Sequence, residues 1–404
     1  MAEAATLARP RAPRVVRNDW GALAPPPVAG WHPTIPVSVI IPAYNCQAYL
    51  DLALAGLSRQ TYPTELLEVV VVDDGSEPKL ELPELAPANC RLVRAPDHAT
   101  GWGRGNALRV GAEVSDGEIL HWLDADLVPF PDHVAAQARW HHAATDVVTL
   151  GYKRFVRDGR VRPAQLLPRI AAGSAATLFP PDVAEPHGYV EELIDATDRL
   201  RAADHLAFRA HTGATAALRR DLYLAAGGLD PELRLGEDSE LGYRLAQAGA
   251  VFVPEPAAGS WHLGPSHAMT TGEAQRRYNR PFLADRMPQP RWLRGGARRT
   301  WAVPLVTAAV VVGEQPLELV RGCVDRLLAS DEPDLRVCLV GDWDELAPAG
   351  PDQRRSVLDD PLLERRLIAA TYRSEPRVSL VGTLPETAFP SPFLLRVPVP
   401  LGVA

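Results

Sequence analysis

Short apolar runs, many of them β-branched and each closed by a polar break, recur along this chain. Val37 to Ile41 (VSVII), Leu67 to Val72 (LEVVVV) and Ile119 to Leu123 each read as a buried strand. Between the first two, Tyr49, Leu52, Ala53, Gly56 and Leu57 fall at helical spacing. That helix takes Asn45 as its N-cap and must stop before Pro63. Strand, helix, strand in this order predicts a βαβ unit and a parallel sheet. Further strands are expected at Arg91 to Arg94, Asp146 to Leu150, Thr215 to Leu218 and Val251 to Val253. Helices are expected from Arg104 to Val114, Val190 to His205, Arg220 to Ala226 and Glu237 to Ala248, the last two closed by glycines. Trp261-His262 is expected in a loop.

The pattern then returns. Val306 to Val312 is β-branched, Leu317, Val320, Val324 and Leu327 mark an amphipathic helix, and Leu335 to Val340 is again a buried strand. Gly341-Asp342-Trp343-Asp344 stands where the first copy has Asp73-Asp74-Gly75-Ser76. The expected organisation is a Pro-, Ala- and Arg-rich extended arm over 1–35, an α/β domain over 36–290, and a smaller, degenerate or incomplete α/β module over 300–404.

Composition narrows the class. With 404 residues and 46% hydrophobic content, the chain can bury more than one core. A formal net charge of -8, with acids and bases interspersed, gives no nucleic-acid footprint. Four scattered cysteines without metal-type spacing fit a reduced compartment. The N-terminus lacks the apolar core of a signal peptide, and the longest apolar run, near Trp301, is too short to span a bilayer. A cytoplasmic protein is expected, a reading compatible with peripheral contact at the inner membrane face.

The chemistry gathers at the polar breaks, because open α/β sheets bind ligands at the carboxyl ends of their strands. Tyr44 and the pair Asp73-Asp74 close the first two strands. Asp124-Ala125-Asp126 closes the third. Two acids so close repel, and a divalent cation carrying a diphosphate would relieve that cost. By itself the triplet is also an ordinary Asp-rich turn. Arg104 and Asn106 open a helix, where N–H groups and a cation suit phosphate. A dinucleotide fingerprint is excluded there, since Asn106 occupies the place of the third glycine after Gly101 and Gly103. Glu237 and Asp238 open another helix, so capping competes with chemistry as their role. His262 is either a solvated side chain or a base or metal ligand.

Five strings occur in order: VSVIIPAYN, VVVVDDGS, GRGNALRVG, LDADLVP and GEDSELGYRL. Together, over roughly Val37 to His262, they resemble the family-2 inverting glycosyltransferases. The tandem copy and GEDSELGYR also resemble bacterial chondroitin-type polymerases with two modules. The resemblance implies a GT-A fold, Rossmann-like with a mostly parallel sheet. It implies transfer of a sugar from a nucleotide sugar, UDP-linked by expectation, to a hydroxyl of a saccharide, lipid or metabolite. Pro42 and Tyr44 would then line the base and ribose pocket. Asp74 would accept from uracil N3–H with Asp73 in support, and Asp124 would bind the ribose or sugar. Asp126 would hold Mn²⁺ or Mg²⁺ on the diphosphate, with His262 as a further ligand, and Arg104 would assist the phosphates. Asp238 would be the general base, oriented by Glu237. Two departures stand out: no acid follows the D-x-D, and Gln275-Arg276-Arg277-Tyr278 is only an echo of the QxxRW motif of processive synthases. The competing readings are a sugar-1-phosphate nucleotidyltransferase, which lacks support because Pro42-Ala43-Tyr44-Asn45 replaces the Gly-rich phosphate loop, and a non-catalytic nucleotide-sugar-binding scaffold.

Overall fold

The computed structural model describes residues 15–156, 162–265, 267–295, 299–346 and 356–399. The first fourteen residues of the expected arm lie outside the described residues. The chain divides into two compact units, Met1–Asn279 and Arg280–Ala404.

The first unit opens with β1 (Val37–Ala43), α1 (Gln47–Leu57), β2 (Leu67–Asp73), β3 (Cys90–Arg94), the single turn α2 (Ala95–His98), α3 (Arg104–Val114) and β4 (Ile119–Leu123). It continues with β5 (Leu127–Pro129), α4 (His133–Ala143), β6 (Val147–Val156), α5 (Pro163–Ala171), β7 (Ala184–Glu185) and α6 (Gly188–Ala196). β8 (Thr215–Arg219), α7 (Arg220–Ala225), α8 (Glu237–Gln247) and β9 (Val251–Leu263) follow. The unit boundary falls within α9 (His267–Arg286).

The sheet is mixed α/β, in the order β3-β2-β1-β4-β8-β6-β9-β5, with β7 pairing β6. β3, β2, β1 and β4 are parallel, and β6 and β9 are parallel. β8 joins the two parts antiparallel to β4 and β6. β1 and β2 are buried on both faces, which is why their sequences are continuous apolar runs rather than alternating ones. Val39, Ile41, Val69 and Val71 pack with Leu50 and Leu54 of α1 and Val134 and Ala138 of α4. The other face takes α3 at close range. A Cβ on Gly111 would stand 2.3 Å from Ile40 Cγ2, so only glycine lets that helix settle onto the sheet. Truncating a fully buried residue such as Ile40 to alanine would cost about 2–5 kcal/mol.

Three local expectations are corrected. Cys46, not Asn45, stands at the N-cap position of α1, and its side chain makes no capping bond; Asn45 sits at φ 49 and its Oδ1 accepts from Glu77 N–H, which ties two loops together. The expected helix Val190 to His205 ends at Ala196, because Asp198, Arg199 and Leu200 take left-handed backbone in succession. His262 lies in β9, paired with Leu127, not in a loop. The described part of the arm is pinned at Asn18, whose amide donates to the Leu200 and Phe252 carbonyls and accepts from Phe252 N–H.

The second unit contains β10 (Val306–Val311), α10 (Leu317–Leu328), β11 (Leu335–Val340), α11 (Leu363–Tyr372), β12 (Val378–Val381) and β13 (Phe393–Pro398). Its four strands are all parallel, in the order β12-β11-β10-β13. It has its own core, formed by Val310, Val320, Val324, Val337, Leu339 and Ile368 among others.

Candidate functional site

Two groups of predicted residues meet at the carboxyl ends of β1, β2 and β4. In the first, Asp74 is buried at the end of β2 and its N–H donates to the Ala43 carbonyl of β1. Asp74 Oδ2 accepts from Gly103 N–H at 2.7 Å, while Oδ1 is buried with no partner among the described residues. Burial raises the pKa of Asp74. Asp73 Oδ1 accepts from Ser76 N–H and shapes the turn, with Arg94 3.8 Å away. Pro42 lies in β1; Tyr44, just beyond it, is 49% exposed and meets Trp102 edge-on at 5.6 Å. Trp102 is itself 55% exposed and was not singled out from sequence, where it stands hidden in a glycine-rich run. The Asp74 carboxylate is thus bonded to the residue next to Trp102, whose exposed ring meets Tyr44, so an unpartnered acceptor oxygen and two exposed aromatic rings belong to one stretch of the strand ends.

The second group is built around Arg104. Gly103, at φ 110, turns the chain into α3 and places Arg104 at its first position. The guanidinium spans two acids, with Nε 2.9 Å from Asp124 Oδ1 and Nη1 2.9 Å from Glu237 Oε1. The fork expected to meet phosphate therefore faces carboxylates, because the ends of β4 and α8 converge on it. Burial disfavours ionised Asp124, but the Arg104 and Lys153 charges outweigh it and hold its pKa below the ordinary value. Burial raises Glu237, reinforced by neighbouring Asp238. Asp238 is half-buried; its Oδ1 accepts from Ser239 N–H at 2.7 Å and its Oδ2 from Gly213 N–H at 3.4 Å. His211 Nδ1 donates to the Asp238 carbonyl at 2.7 Å and ties the start of α8 to the segment leading into β8. Asn106 does not join the group. It is buried in α3, where its Oδ1 accepts from Arg109.

Asp126 and His262 sit side by side across the β5–β9 pairing. His262 Nε2 is 3.6 Å from Asp126 Oδ2, and Leu263 N–H donates to the Asp126 carbonyl. Asp126 Oδ1 is buried with no partner among the described residues. Burial raises the pKa of Asp126, with Asp124 adding to the rise and His262 opposing it. Among the described residues no three His, Cys, Asp or Glu side chains form a ready cage for a metal. The two donors present fit a hard divalent cation that takes its remaining ligands from phosphate oxygens and water, the usual mode for Mg²⁺.

Lys153 of β6 was missed from sequence. It is 6% exposed, and its charge interacts with Asp124, Asp126 and Asp238 at once. Nothing in its spacing from the motifs could reveal this; the signal lies in the fold, where β6 runs beside β9.

Among the described residues, no helix is long and apolar enough to cross a membrane. The hyaluronan synthase of Pasteurella multocida is 25% identical over 341 residues, covering 77% of this chain and 33% of that protein. The chondroitin synthase of Escherichia coli is 25% identical over 368 residues, covering 86% of this chain and 50% of that protein. The validoxylamine A glucosyltransferase of Streptomyces hygroscopicus subsp. limoneus is 29% identical over 267 residues, covering 61% and 55%. The chain thus spans about a third to a half of the length of the two synthases. Among solved structures, a mannosyltransferase from Pyrobaculum calidifontis matches at a TM-score of 0.39 and 22% identity over 68% of each chain. Residues 38–223 match the family model "Glycosyl transferase family 2", and the chain carries a domain of that family.

Proposed function

We propose that this chain is a metal-dependent, inverting glycosyltransferase that moves a sugar from a nucleotide sugar, UDP-linked, to an acceptor hydroxyl. The observations that carry this reading are Arg104 spanning Asp124 and Glu237 beside Asp238, the Asp126–His262 pair within electrostatic reach of Asp124, and the buried Asp74 carboxylate joined through Gly103 to the Tyr44–Trp102 contact.

In this reading Tyr44 and Trp102 stack on the base, and Asp74 Oδ1 accepts its ring N–H. Pro42 lines the pocket floor and Asp73 holds the turn. Arg104 keeps Asp124 and Glu237 in place so that Asp124 can accept hydroxyl hydrogens of ribose or sugar. Mn²⁺ or Mg²⁺, held by Asp126 and His262, would neutralise charge building on the departing diphosphate. Asp238 removes the proton from the acceptor hydroxyl as its oxygen attacks the anomeric carbon. The bond to the diphosphate breaks on the opposite face, so the configuration inverts. The proton ends on Asp238 and the electron pair on the leaving nucleoside diphosphate. Asp238 suits this role because Gly213 and Ser239 orient it and, among the described residues, no cation pairs with it.

The names of the two synthase relatives favour a saccharide acceptor, in a cytoplasmic setting that permits contact with the inner membrane face. The test is calorimetric titration of UDP-glucose, UDP-N-acetylglucosamine, UDP-glucuronate and GDP-mannose with and without Mn²⁺. Metal-dependent binding of at least one UDP-sugar is expected. Absence of binding by all of them would overturn the reading.

A further inference from the structure

β6 and β9 run parallel until Gly151, which pairs with Glu255; the next residue, Tyr152, pairs with Gly259. β9 therefore bulges by three residues, Pro256 to Ala258, just before the pairs Tyr152–Gly259 and Lys153–Ser260. Bulges re-aim the side chains that follow them. Here the following residues on one face of β6 are Lys153 and Phe155, and the Phe155 ring packs against His262, tilted by 39° with ring centroids 4.6 Å apart. The Lys153 ammonium lies 5.6 Å from the centre of the Phe155 ring. Its one hydrogen bond among the described residues is a long one, 3.5 Å to Thr212 Oγ1. None of the described carboxylates stands within ion-pair distance of it. Glu191, which shares the same cleft, is held by Arg154.

A buried ammonium without an ion pair is costly unless something else satisfies it. The cleft beside it, lined by Lys153, Thr212, His187 and Gly151, encloses about 20 Å³, room for a single small polar group rather than a sugar ring. We infer that Lys153 and Thr212 form a subsite for one anionic group of the substrate, set by the β9 bulge between the Asp126–His262 pair and Asp238. Two substrate anions share this chemistry: an oxygen of the donor diphosphate, and the carboxylate of an acidic transferred sugar. The inference deepens the proposed function and rests on it.

The experiment titrates UDP, UDP-glucose and UDP-glucuronate, each with Mn²⁺, into the full chain and its Lys153→Met and Thr212→Val variants. A charge-assisted hydrogen bond predicts binding about ten- to a hundred-fold weaker in Lys153→Met. Weakening of all three ligands assigns the diphosphate as the anion. Weakening confined to UDP-glucuronate assigns the sugar carboxylate. Thr212→Val should weaken the same ligands by a smaller factor. The melting temperature of Lys153→Met, which leaves Asp124, Asp126 and Asp238 with less compensating charge, reports whether the variant folds. It is the control for folding, and Thr212→Val, which leaves the charge in place, carries the test if Lys153→Met does not fold. Unchanged affinities for all three ligands in a folded Lys153→Met variant, or in Thr212→Val where that variant must decide, would overturn the subsite while leaving the proposed function standing. Failure of wild type to bind any of them would overturn both.

Discussion

His262 turns its Nε2 toward Asp126 Oδ2 at 3.6 Å while its Nδ1 lies 3.0 Å from the Gly264 carbonyl. A carbonyl can only accept, so Nδ1 carries the hydrogen and Nε2 presents its lone pair to the carboxylate. Two lone pairs facing each other call for a proton or a cation between them. Asp126→Ala should therefore abolish the Mn²⁺-dependent part of UDP binding. His262→Ala should weaken it by at least the roughly 10–100-fold that loss of an outer-shell partner costs. Calorimetry with and without Mn²⁺ reads both, and UDP affinity that is equally metal-dependent in Asp126→Ala would remove the pair from the site.

Asp238→Asn keeps the size of the side chain and its ability to accept from Ser239 and Gly213, but gives up its proton affinity. Transfer should fall by about 10²–10⁴, the usual worth of a general base, while affinity for the donor stays within a few fold. Steady-state rates beside calorimetry separate the two effects. A variant turning over at the wild-type rate would send the search for the base elsewhere.

Acid should destabilise the first unit through three buried histidines. His121, His133 and His141 surround Gln137, whose amide lies 3.3 Å from His121 Nε2 and 3.2 Å from His133 Nε2; Thr149 Oγ1 lies 3.4 Å from His141 Nε2. Burial lowers His133 to about 4 and His141 to about 3, and holds His121 well below the ordinary value. The unfolded chain takes up these protons near pH 6.5, before the folded chain does, so stability is full above that pH and falls as pH drops toward 4. Each histidine adds at most about 1.4 kcal/mol per pH unit to the slope. Urea midpoints between pH 7 and pH 4.5 should fall, and His133→Asn, if folded, should show a shallower decline. A flat pH profile in wild type would contradict this.

The second unit should be silent in metal-dependent nucleotide binding. Its equivalent turn is Gly341-Asp342-Trp343-Asp344; Trp343 donates to the Leu339 carbonyl, and the Asp342 carbonyl accepts from Arg365. Asp342→Ala with Asp344→Ala in the full chain should leave UDP affinity in Mn²⁺ within about two-fold of wild type, a change below 0.5 kcal/mol. A ten-fold loss would assign this unit a donor site of its own.

The sequence revealed the parallel part of the sheet because strands buried on both faces must be apolar at every position, as β1 and β2 are. It concealed β9 because Pro254, Pro256 and Gly259 read as breaks, whereas the fold absorbs Pro256 in a bulge and continues the strand to Leu263. His262 was therefore singled out for its chemistry but misplaced in a loop. Lys153 and Trp102 could not be read at all. One is an isolated lysine whose meaning comes from strands far apart in sequence, and the other an aromatic residue whose partner, Tyr44, lies 58 positions earlier. The arginine at position 104 was found, but its two carboxylate partners come from β4 and α8, and only the fold brings those together.

Gly103 and Arg104 are consecutive, yet the first donates to Asp74, the proposed reader of the nucleobase, and the second holds Asp124 and Glu237. A single peptide linkage thus joins the group that would read the nucleotide to the groups that would act on the sugar. On the proposed roles, donor preference and turnover are therefore coupled through this linkage. Repeated rounds of selection for a different base would shift the Gly103 turn and pull the guanidinium with it. Laboratory evolution of donor choice should accordingly collect compensating changes at the start of α3, and variants altered at Asp74 alone should lose rate along with selectivity.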